Sequence, residues 1–567
     1  MKKHLLPLCC LLATTTCLYA QNRYQVVITE IMADPAPIVG LPNNEWIELK
    51  NTGTTPVNLA GWRLGDLTGL SGPMPQYMLQ PGSYVIVCTG NAVTALSAFG
   101  ATLAVTSFPS LDNETDQLFI RSANGTTMHA VNYQSNWYNN ELKKEGGWAL
   151  EMIDPSQPCS GKENWNASMN ASGGTPGTVN SINGSLTTLP EPAISHSYTT
   201  GNNTVTIVFN QPVDSTSGAT LTHYTLAGNS ITGARTMPPL FNQVQLTLAQ
   251  PLTEATIYSI TVNGLTNCSG KVMAGQQVQT GMASATIAQD LVVNEILFRP
   301  RPNGYDYVEL FNRSKKIIDL SKILLANRNS TGNIDNIKSV SQQPIYIFPG
   351  DYIVVTEHAD NLALNYLVKA PSKVMVIPAL PSYPNTGGTI VLLNEQGSVV
   401  DEVAYSNKWH FPLIDNDEGI ALERIDPDQD SQSAQNWHSA ASTAGYGTPT
   451  YLNSQYKSVE TGKGSISVSP AVFSPDGDGF NDITSISYNL PQSGFVANIT
   501  IFDAAGRPVK NLVRNATTST SGYWNWNGLN DKNNPLPIGT YIIFSEFFNL
   551  QGKKQVYKNT VVLARPL

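Results

Sequence analysis

The sequence is poor in charged residues and has no excess of basic ones. Lys, Arg, Asp and Glu make up 13% of its 567 residues, and the formal net charge is −9 at pH 7. A protein that binds nucleic acid needs a basic face to displace the counterions of the phosphates. The composition therefore argues against a nucleic-acid partner.

Sequence motifs of the common enzyme classes are missing. There are seven histidines, but no His-Glu-x-x-His zinc motif and no two histidines at metal-ligand spacing. Neither a Gly-x-Ser-x-Gly nucleophile elbow nor a glycine-rich phosphate loop occurs. We therefore predict that the chain is not an enzyme, and no cofactor is indicated apart from the calcium considered below.

Cysteines are few as well. Of the six, Cys88, Cys159 and Cys268 lie beyond the N-terminal segment, and none has the Cys-x-x-Cys spacing of a metal site. Cys88 and Cys159 fall in the first of two repeated segments, and Thr356 and Ser431 occupy the corresponding positions of the second. A disulfide between Cys88 and Cys159 would leave this pattern. Two unpaired small residues would leave it too, so both interpretations stay open.

Long apolar runs are also missing, and a short one occurs only at the N-terminus. Lys2 and Lys3 precede an apolar stretch at 5–12, and Leu18-Tyr19-Ala20 has the form of a cleavage site. Residues 1–20 are therefore predicted to be a signal peptide. No later stretch is apolar for the ~18 residues of a membrane span. We expect a soluble protein that is secreted, extracellular or on the outer cell surface.

The chain does contain a repeated pattern of strands. The alternating stretch 44–51, Asn-Glu-Trp-Ile-Glu-Leu-Lys-Asn, returns at 305–312 as Tyr-Asp-Tyr-Val-Glu-Leu-Phe-Asn. A period of two with aromatic and β-branched residues is typical of a strand with one face in a core. Further stretches recur in the same order, namely 27–32, 57–62, 79–87 and 149–155 at 292–297, 318–323, 347–355 and 421–427. The chain therefore holds two copies of one β-rich domain.

The repeated phrases resemble the lamin-tail domain. They are Val-x-x-Glu-Ile, then Trp/Tyr-Ile/Val-Glu-Leu-x-Asn, then Val/Ile-x-Leu, then Pro-Gly-x-Tyr. The resemblance covers residues 21–183 and 287–455. It implies an immunoglobulin-like β-sandwich in each copy, within an exported multidomain protein.

Two other segments resemble smaller modules. Residues 186–283 carry alternating strands separated by Pro, Asn and Gly turns, and resemble bacterial Ig-like modules of surface proteins. Residues 466–567 resemble the Ig-like domain of flagellar hook-cap proteins and related C-terminal domains of exported Bacteroidetes proteins. In that family the domain serves as a cell-surface or type IX secretion signal, although Ig-like tails without that role look similar. The predicted fold class is all-β, with four tandem immunoglobulin-like β-sandwiches.

An aspartate-rich turn opens the last segment. Asp476, Asp478, Asn481 and Asp482 place four oxygen side chains within seven residues. Ca²⁺ takes about six to eight oxygen ligands, which makes these residues candidate calcium ligands. The pattern is equally typical of a turn whose carboxylates accept backbone N–H groups. A helix–loop–helix site would also need a glutamate where Ser487 stands.

Two pairs of glutamates recur in the repeats. Glu30 with Glu48, and Glu295 with Glu309, have the residue type that glycoside hydrolysis uses as an acid–base pair. The simpler interpretation places them on a solvated or half-covered face of adjacent strands, where they pair across the sheet or bond an edge. Recurrence in two otherwise diverged copies favours the role in building the fold.

Aromatic residues in turn-rich loops are the candidate binding residues. Trp137 and Tyr138 in the first repeat correspond to Trp409 and His410 in the second. Sandwich proteins place binding surfaces in such loops, and Trp and Tyr commonly anchor protein or carbohydrate partners. The alternative is that the tryptophans cap the open end of their own core.

Taken together, the sequence predicts a non-catalytic structural or adhesive protein of a bacterial surface, attached or delivered by its C-terminal module. The expected partner is a protein or glycan at the cell surface, with attachment to the cell envelope. A carbohydrate-binding or accessory module array is one alternative class, and a hydrolase using the glutamate pairs is another.

Overall fold

The computed structural model describes residues 23–189, 191–457 and 464–565. The predicted signal peptide at 1–20 lies outside these residues. The chain forms two compact units. The first comprises the described residues up to His196 with Asn203–Pro251 and Tyr258–Gln279, and the second comprises Ser197–Asn202, Leu252–Ile257 and the described residues from Thr280 onwards.

The first repeat is built almost entirely of strands. They are β1 (Val26–Met32), β2 (Trp46–Asn51), β3 (Val57–Asn58), β4 (Arg63–Gly65), β5 (Met78–Leu79), β6 (Tyr84–Cys88), β7 (Thr102–Ala104), β8 (Thr115–Arg121), β9 (Thr127–Gln134), β10 (Leu150–Met152) and β11 (Trp165–Ala167), with one short helix, α1 (Val93–Leu96). One sheet has the order β11-β10-β1-β2-β6-β7, a second has the order β4-β8-β9, and β3 pairs with β5.

Alternation along β2 buries both of its faces. Ile47 and Leu49 point into the main core, which also holds Leu118 and Ile120 of β8. Trp46 points the other way, into a smaller apolar cluster beside Leu96 of α1. The six-stranded sheet is therefore a central layer covered on both sides.

The segment after the first repeat forms a smaller pair of sheets. Its elements are β12 (Ile194–Gly201), β13 (Thr204–Phe209), α2 (Ser215–Gly218), β14 (Tyr224–Leu226), β15 (Ile231–Thr236), β16 (Gln243–Leu248), β17 (Tyr258–Val262) and β18 (Gln276–Thr280). Strands β13, β16 and β15 are neighbours in one sheet, and β14, β17 and β18 form the other. Alternate residues such as Val205, Leu246 and Ile260 are fully buried.

The second repeat reproduces the first. Its elements are β19 (Leu291–Leu297), β20 (Tyr307–Asn312), β21 (Ile318–Asp319), β22 (Ile323–Arg328), β23 (Ile334–Ser339), β24 (Tyr346–Ile347), β25 (Tyr352–Thr356), α3 (Ala359–Asn365), β26 (Val374–Val376), β27 (Gly387–Asn394), β28 (Val399–Ser406), β29 (Leu422–Arg424) and β30 (Trp437–Ser439). The order β26-β25-β20-β19-β29-β30 matches that of the first repeat, and a bulge interrupts the first strand pair at the same place in both.

The C-terminal module is a two-sheet sandwich. Its strands are β31 (Ser465–Ser469), β32 (Val472–Phe473), β33 (Thr484–Asn489), β34 (Val496–Phe502), β35 (Pro508–Thr517), β36 (Ser521–Trp526), β37 (Gly539–Phe548) and β38 (Lys554–Leu563). The sheets have the orders β31-β33-β36 and β32-β38-β37-β34-β35. Phe473, Ile486 and Trp526 lie in the core between them. The predicted fold class, all-β with tandem immunoglobulin-like sandwiches, is confirmed.

In the part of the chain that the structure describes, helical structure is limited to single turns and short helices. Turns of 3₁₀ helix lie at Ser135–Tyr138, Lys143–Glu145, Gly161–Asn164, Leu221–His223, Leu320–Lys322, Pro371–Lys373, Asn407–Trp409, Ala434–Asn436 and Ser442–Ala444. Among the described residues, no helix has the length and apolar character that crossing a bilayer requires.

The cysteine predictions were wrong. Cys159 forms a disulfide with Cys268, their Cα atoms 6.2 Å apart, and Cys88 is buried and unpaired. Cys88 packs in the apolar cluster around Trp46 and Leu96. The bridge ties the loop after β10 to the following Ig-like segment. The partner of Cys159 therefore lies outside the repeat, where a comparison of the two repeats could not reveal it.

The buried side chains of Gln455 and Thr517 help to hold the end of the second repeat against the C-terminal module. The Gln455 amide donates to the Thr518 carbonyl (3.0 Å) and accepts from the Gly494 N–H (3.1 Å). Ser493 Oγ donates to the Gln455 carbonyl at 2.8 Å. The second unit thus has a fixed polar joint between its repeat and its last module.

Candidate functional sites

Three glutamates meet inside the second repeat. Glu295 on β19 lies directly opposite Glu309 on β20 and Glu423 on β29. All three side chains are fully buried. Like charges directly opposite one another destabilise a sheet, and an unpaired buried carboxylate is costlier still. The cluster therefore requires hydrogen-bond donors close by.

The last residues of the repeat supply those donors. The Thr448 N–H donates to Glu295 Oε1 (2.9 Å), the Thr450 N–H to Glu309 Oε2 (2.6 Å) and the Gln455 N–H to Glu423 Oε2 (2.7 Å). We call residues 448–455 the closing segment of the second repeat. It crosses the face of the sheet that carries the glutamates, and each backbone donor meets one carboxyl.

The first repeat has the same arrangement. Glu30 faces both Glu48 and Glu151, and all three are fully buried. Its closing segment is 175–182. Here the Thr175 N–H donates to Glu30 (2.7 Å), the Gly177 N–H to Glu48 (2.7 Å) and the Ile182 N–H to Glu151 (3.1 Å).

A single hydroxyl shows that the second cluster holds a proton. Thr448 Oγ1 lies 2.9 Å from Glu295 Oε2 and 2.9 Å from Glu423 Oε1. One hydroxyl hydrogen serves one acceptor, so the other carboxyl must be protonated and donate to the threonine oxygen. Burial, followed by the Glu423 carboxyl, raises the pKa of Glu295 to about 8. In the first repeat burial raises the pKa of Glu48 to about 8 as well.

The stability of both repeats is expected to fall as the pH rises from about 6.5 to about 8. The folded chain keeps protons on Glu48 and Glu295, whose pKa values are near 8, whereas the unfolded chain releases them near 4.5. Each retained proton therefore costs about 1.4 kcal/mol per pH unit in this window. His129 and His410, whose pKa values burial lowers to about 4, act in the opposite direction only below their unfolded value of 6.5. Urea unfolding at several pH values measures the slope.

The matched control for this prediction replaces the titrating carboxyls. Glu48→Gln with Glu295→Gln removes two groups that release protons, so the slope between about pH 6.5 and 8 is expected to flatten. A wild-type stability that stays constant or rises across that window would contradict the assignment of protons to the clusters.

The expected position of the glutamates was wrong in one respect. The sequence placed them on a solvated or half-covered face, and the structure buries them beneath the closing segments. A signal for this was present, since Gly174-Thr175-Pro176 and Asn180-Ser181 return as Gly447-Thr448-Pro449 and Asn453-Ser454. Glu151 and Glu423 were missed for the same reason.

The aspartate-rich turn is closed by its own carboxylates. The Gly477 and Gly479 N–H groups donate to the Asp482 carboxylate (2.7 and 2.9 Å), and the Phe480 N–H donates to Asp478 (2.7 Å). Carboxylate oxygens of Asp476, Asp478 and Asp482 lie within 4.8 Å of one another. Asn481 has a left-handed backbone, φ 54°. These hydrogen bonds are the ones expected for a turn whose carboxylates accept backbone N–H groups. Calcium binding stays a prediction.

The predicted binding aromatics divide into buried and half-buried residues. Tyr138 and His410 are only 5% and 6% exposed. Trp137 and Trp409 are half-buried and pack against the cores from outside. Each lies beside a second tryptophan, Trp165 and Trp437 respectively, and these pairs were not predicted.

Two regions of the chain match the Lamin Tail Domain family model, residues 20–135 and 284–407. The resemblance drawn from the repeated phrases is therefore confirmed for these regions. The match ends before β10 and β29 in the respective repeats. No curated protein matches the chain.

Several solved structures show partial similarity. A bacterial S-layer protein, SbsC, is 10% identical over 67% of this chain and 55% of its own length, with a TM-score of 0.16. A protein from Bacteroides thetaiotaomicron is 12% identical over 41% and 86%, with a TM-score of 0.18. A Ca²⁺-stabilized adhesin of an Antarctic bacterium is 10% identical over 96% and 99%, with a TM-score of 0.12. The chain spans 40% and 55% of the lengths of two S-layer structures. TM-scores this low carry no further argument.

Proposed function

We propose that this chain is a non-catalytic structural or adhesive protein, secreted or held at the cell surface. The observation that carries the proposal is the structural role of the repeated glutamates. The residues with the best claim to acid–base catalysis, Glu30, Glu48, Glu295 and Glu309, are fully buried and accept hydrogen bonds from the chain itself. They hold the sandwiches together, since their oxygens accept from the closing segments.

The disulfide supports a location outside the cytoplasm. Disulfides persist in oxidising compartments and are rare where glutathione and thioredoxin keep thiols reduced. The Cys159–Cys268 bridge therefore agrees with the signal peptide predicted at 1–20. Sandwich modules joined in tandem suit a protein that bears load or presents a surface.

Deleting residues 464–567 tests how the chain reaches or holds the surface. The full chain is expected to be accessible to protease added to intact cells, whereas the truncated chain stays inside or is released into the medium. The cut after residue 463 keeps Gln455, although its contacts with Gly494 and Thr518 are lost. Thermal unfolding of the truncated protein must therefore show a folded second repeat.

The outcomes of this deletion separate two claims. Unaltered surface display of the truncated chain would overturn the delivery or attachment role of the C-terminal module. A full-length chain found only in the cytoplasm would overturn the proposed location itself.

A further inference from the structure

Each repeat has a groove beside its tryptophan pair. In the first repeat the ring centres of Trp137 and Trp165 are 6.4 Å apart. The groove next to them has a volume of about 360 Å³, and Gln134, Lys162 and Glu163 lie along it. These three polar side chains are exposed, whereas Trp165 is buried and Trp137 half-buried. One indole therefore stands at the edge of an open space.

The second repeat has the equivalent groove. The rings of Trp409 and Trp437 are stacked, with centres 6.2 Å apart and planes 27° from parallel. The groove has a volume of about 370 Å³ and is also lined by Lys408, Gln435 and His438. The polar residues differ between the two grooves, while the tryptophan pair and the volume are the same.

In both cases the opposite wall comes from the module that follows. Asn210, Pro212 and Leu240 of the Ig-like segment close the first groove. Ser493, Gly494 and Leu550 of the C-terminal module close the second. Both walls are fixed, the first by the Cys159–Cys268 bridge and the second by the Gln455 contacts. A tryptophan that served only to cap its core would not need an open groove held in place by a second module.

We propose that the two grooves bind sugar rings of a polysaccharide. An indole at the edge of a groove offers a flat apolar face to the C–H groups of a pyranose, while neighbouring amides exchange hydrogen bonds with its hydroxyls. Lys162 and Glu163 are neighbours in the lining of the first groove, so their charges balance one another there. Volumes above about 300 Å³ are within the range of small-molecule sites. The inference rests on the proposed function, since it names the ligand of an adhesive surface protein.

Two grooves on one chain would make the binding bivalent. A polymer that engages both repeats binds the second intramolecularly, at an effective concentration set by the chain between them. Weak single sites would then still give firm attachment to a long glycan. Short oligosaccharides should bind each groove weakly and independently.

Calorimetric titration of the full chain with four hexasaccharides tests the proposal. The probes are the hexamers of β-1,4-glucose, β-1,3-glucose, α-1,4-glucose and β-1,4-N-acetylglucosamine. At least one is expected to bind at two sites per chain. Trp137→Ala with Trp409→Ala should weaken that binding at least about tenfold, whereas Trp524→Phe, an aromatic change in the C-terminal module outside both grooves, should leave it unchanged.

A second variant separates binding from folding. Gln134 and Gln435 are exposed groove residues, so Gln134→Ala with Gln435→Ala is expected to keep the melting temperature and still reduce affinity several-fold. The proposal is overturned if no hexamer binds at millimolar concentration, or if the glutamine variant binds as tightly as the wild type. It is also overturned if a proline-rich peptide occupies the grooves and the sugars do not. Any of these results with the full chain still displayed outside the cell would leave the proposed function standing.

Discussion

Truncating Glu309 to alanine is expected to lower the free energy of unfolding of the second repeat by about 3–5 kcal/mol. The substitution leaves two buried donors, the Asn294 side-chain amide and the Thr450 N–H, without their acceptor. Each lost partner costs about 1–3 kcal/mol, and the cavity left by the side chain adds to this. Hydrogen–deuterium exchange of peptides from β19 and β20 in the full chain measures the loss within this repeat.

Glutamine at the same position gives the sharper comparison. Glu309 accepts from a donor on each oxygen, so the glutamine NH₂ must face either Asn294 Nδ2 or the Thr450 N–H. Asn294 is prevented from turning its amide because Nδ2 also donates to Asn453 Oδ1 (2.7 Å). Asn453 in turn is held by its own bonds to two backbone carbonyls. Glu309→Gln should therefore cost about 1–3 kcal/mol.

The matched control is Glu48→Gln in the first repeat. Glu48 accepts from Thr29 Oγ1 (2.8 Å) where Glu309 has an asparagine partner. A threonine hydroxyl rotates to accept instead of donate, so this glutamine finds a partner on both sides. Its cost should stay below about 1 kcal/mol. Equal losses in the two variants would contradict the hydrogen-bond account of the clusters.

Removing the disulfide is the second large effect. Cys159→Ser with Cys268→Ser is expected to lower the stability of the first unit by roughly 3–5 kcal/mol, because the bridge closes a long loop in the unfolded chain. The two cysteines are 109 residues apart in sequence. Urea unfolding of the oxidised protein, the reduced protein and the double variant provides the measurement.

The free cysteine serves as the control for that experiment. Cys88 is buried and unpaired. Reductant should therefore lower the stability of Cys88→Ala by the same amount as it lowers the stability of the wild type. The substitution itself should lower the free energy of unfolding only slightly, because it shortens one small apolar side chain. A double variant as stable as the oxidised wild type would show that the bridge does not hold the two segments together.

The sequence predicted the strands well because alternation is a local property. Ile47 and Leu49 against Trp46 and Glu48 set the two faces of β2, and the same pattern in β20 identified the second copy. Strand positions and the sandwich class need only this periodicity. A bulge in each repeat sets the strand register that places Glu30 opposite Glu48 and Glu295 opposite Glu309. Periodicity alone does not reveal that register.

The closing segments and the disulfide are long-range features, and they were missed. Thr175 contacts Glu30 from 145 positions away in sequence, and Cys159 bonds to a residue in the next segment. Nothing in the immediate surroundings of either residue marks its partner. The repeated Gly-Thr-Pro and Asn-Ser phrases were the available signal, because the repetition of a short polar phrase at the end of a domain indicates a fixed contact.

The position of the closing segments has a consequence for the order in which each repeat is assembled. A polypeptide made from its N-terminus onwards presents Glu30 and Glu48 long before residues 175–182 become available. Until then Glu30 and Glu151 lack their hydrogen-bond donors and Glu48 has only Thr29 Oγ1, so enclosing the three carboxyls is costly. Each repeat is therefore locked by its own trailing end, and the amino-acid order itself delays its final compaction until that end is available.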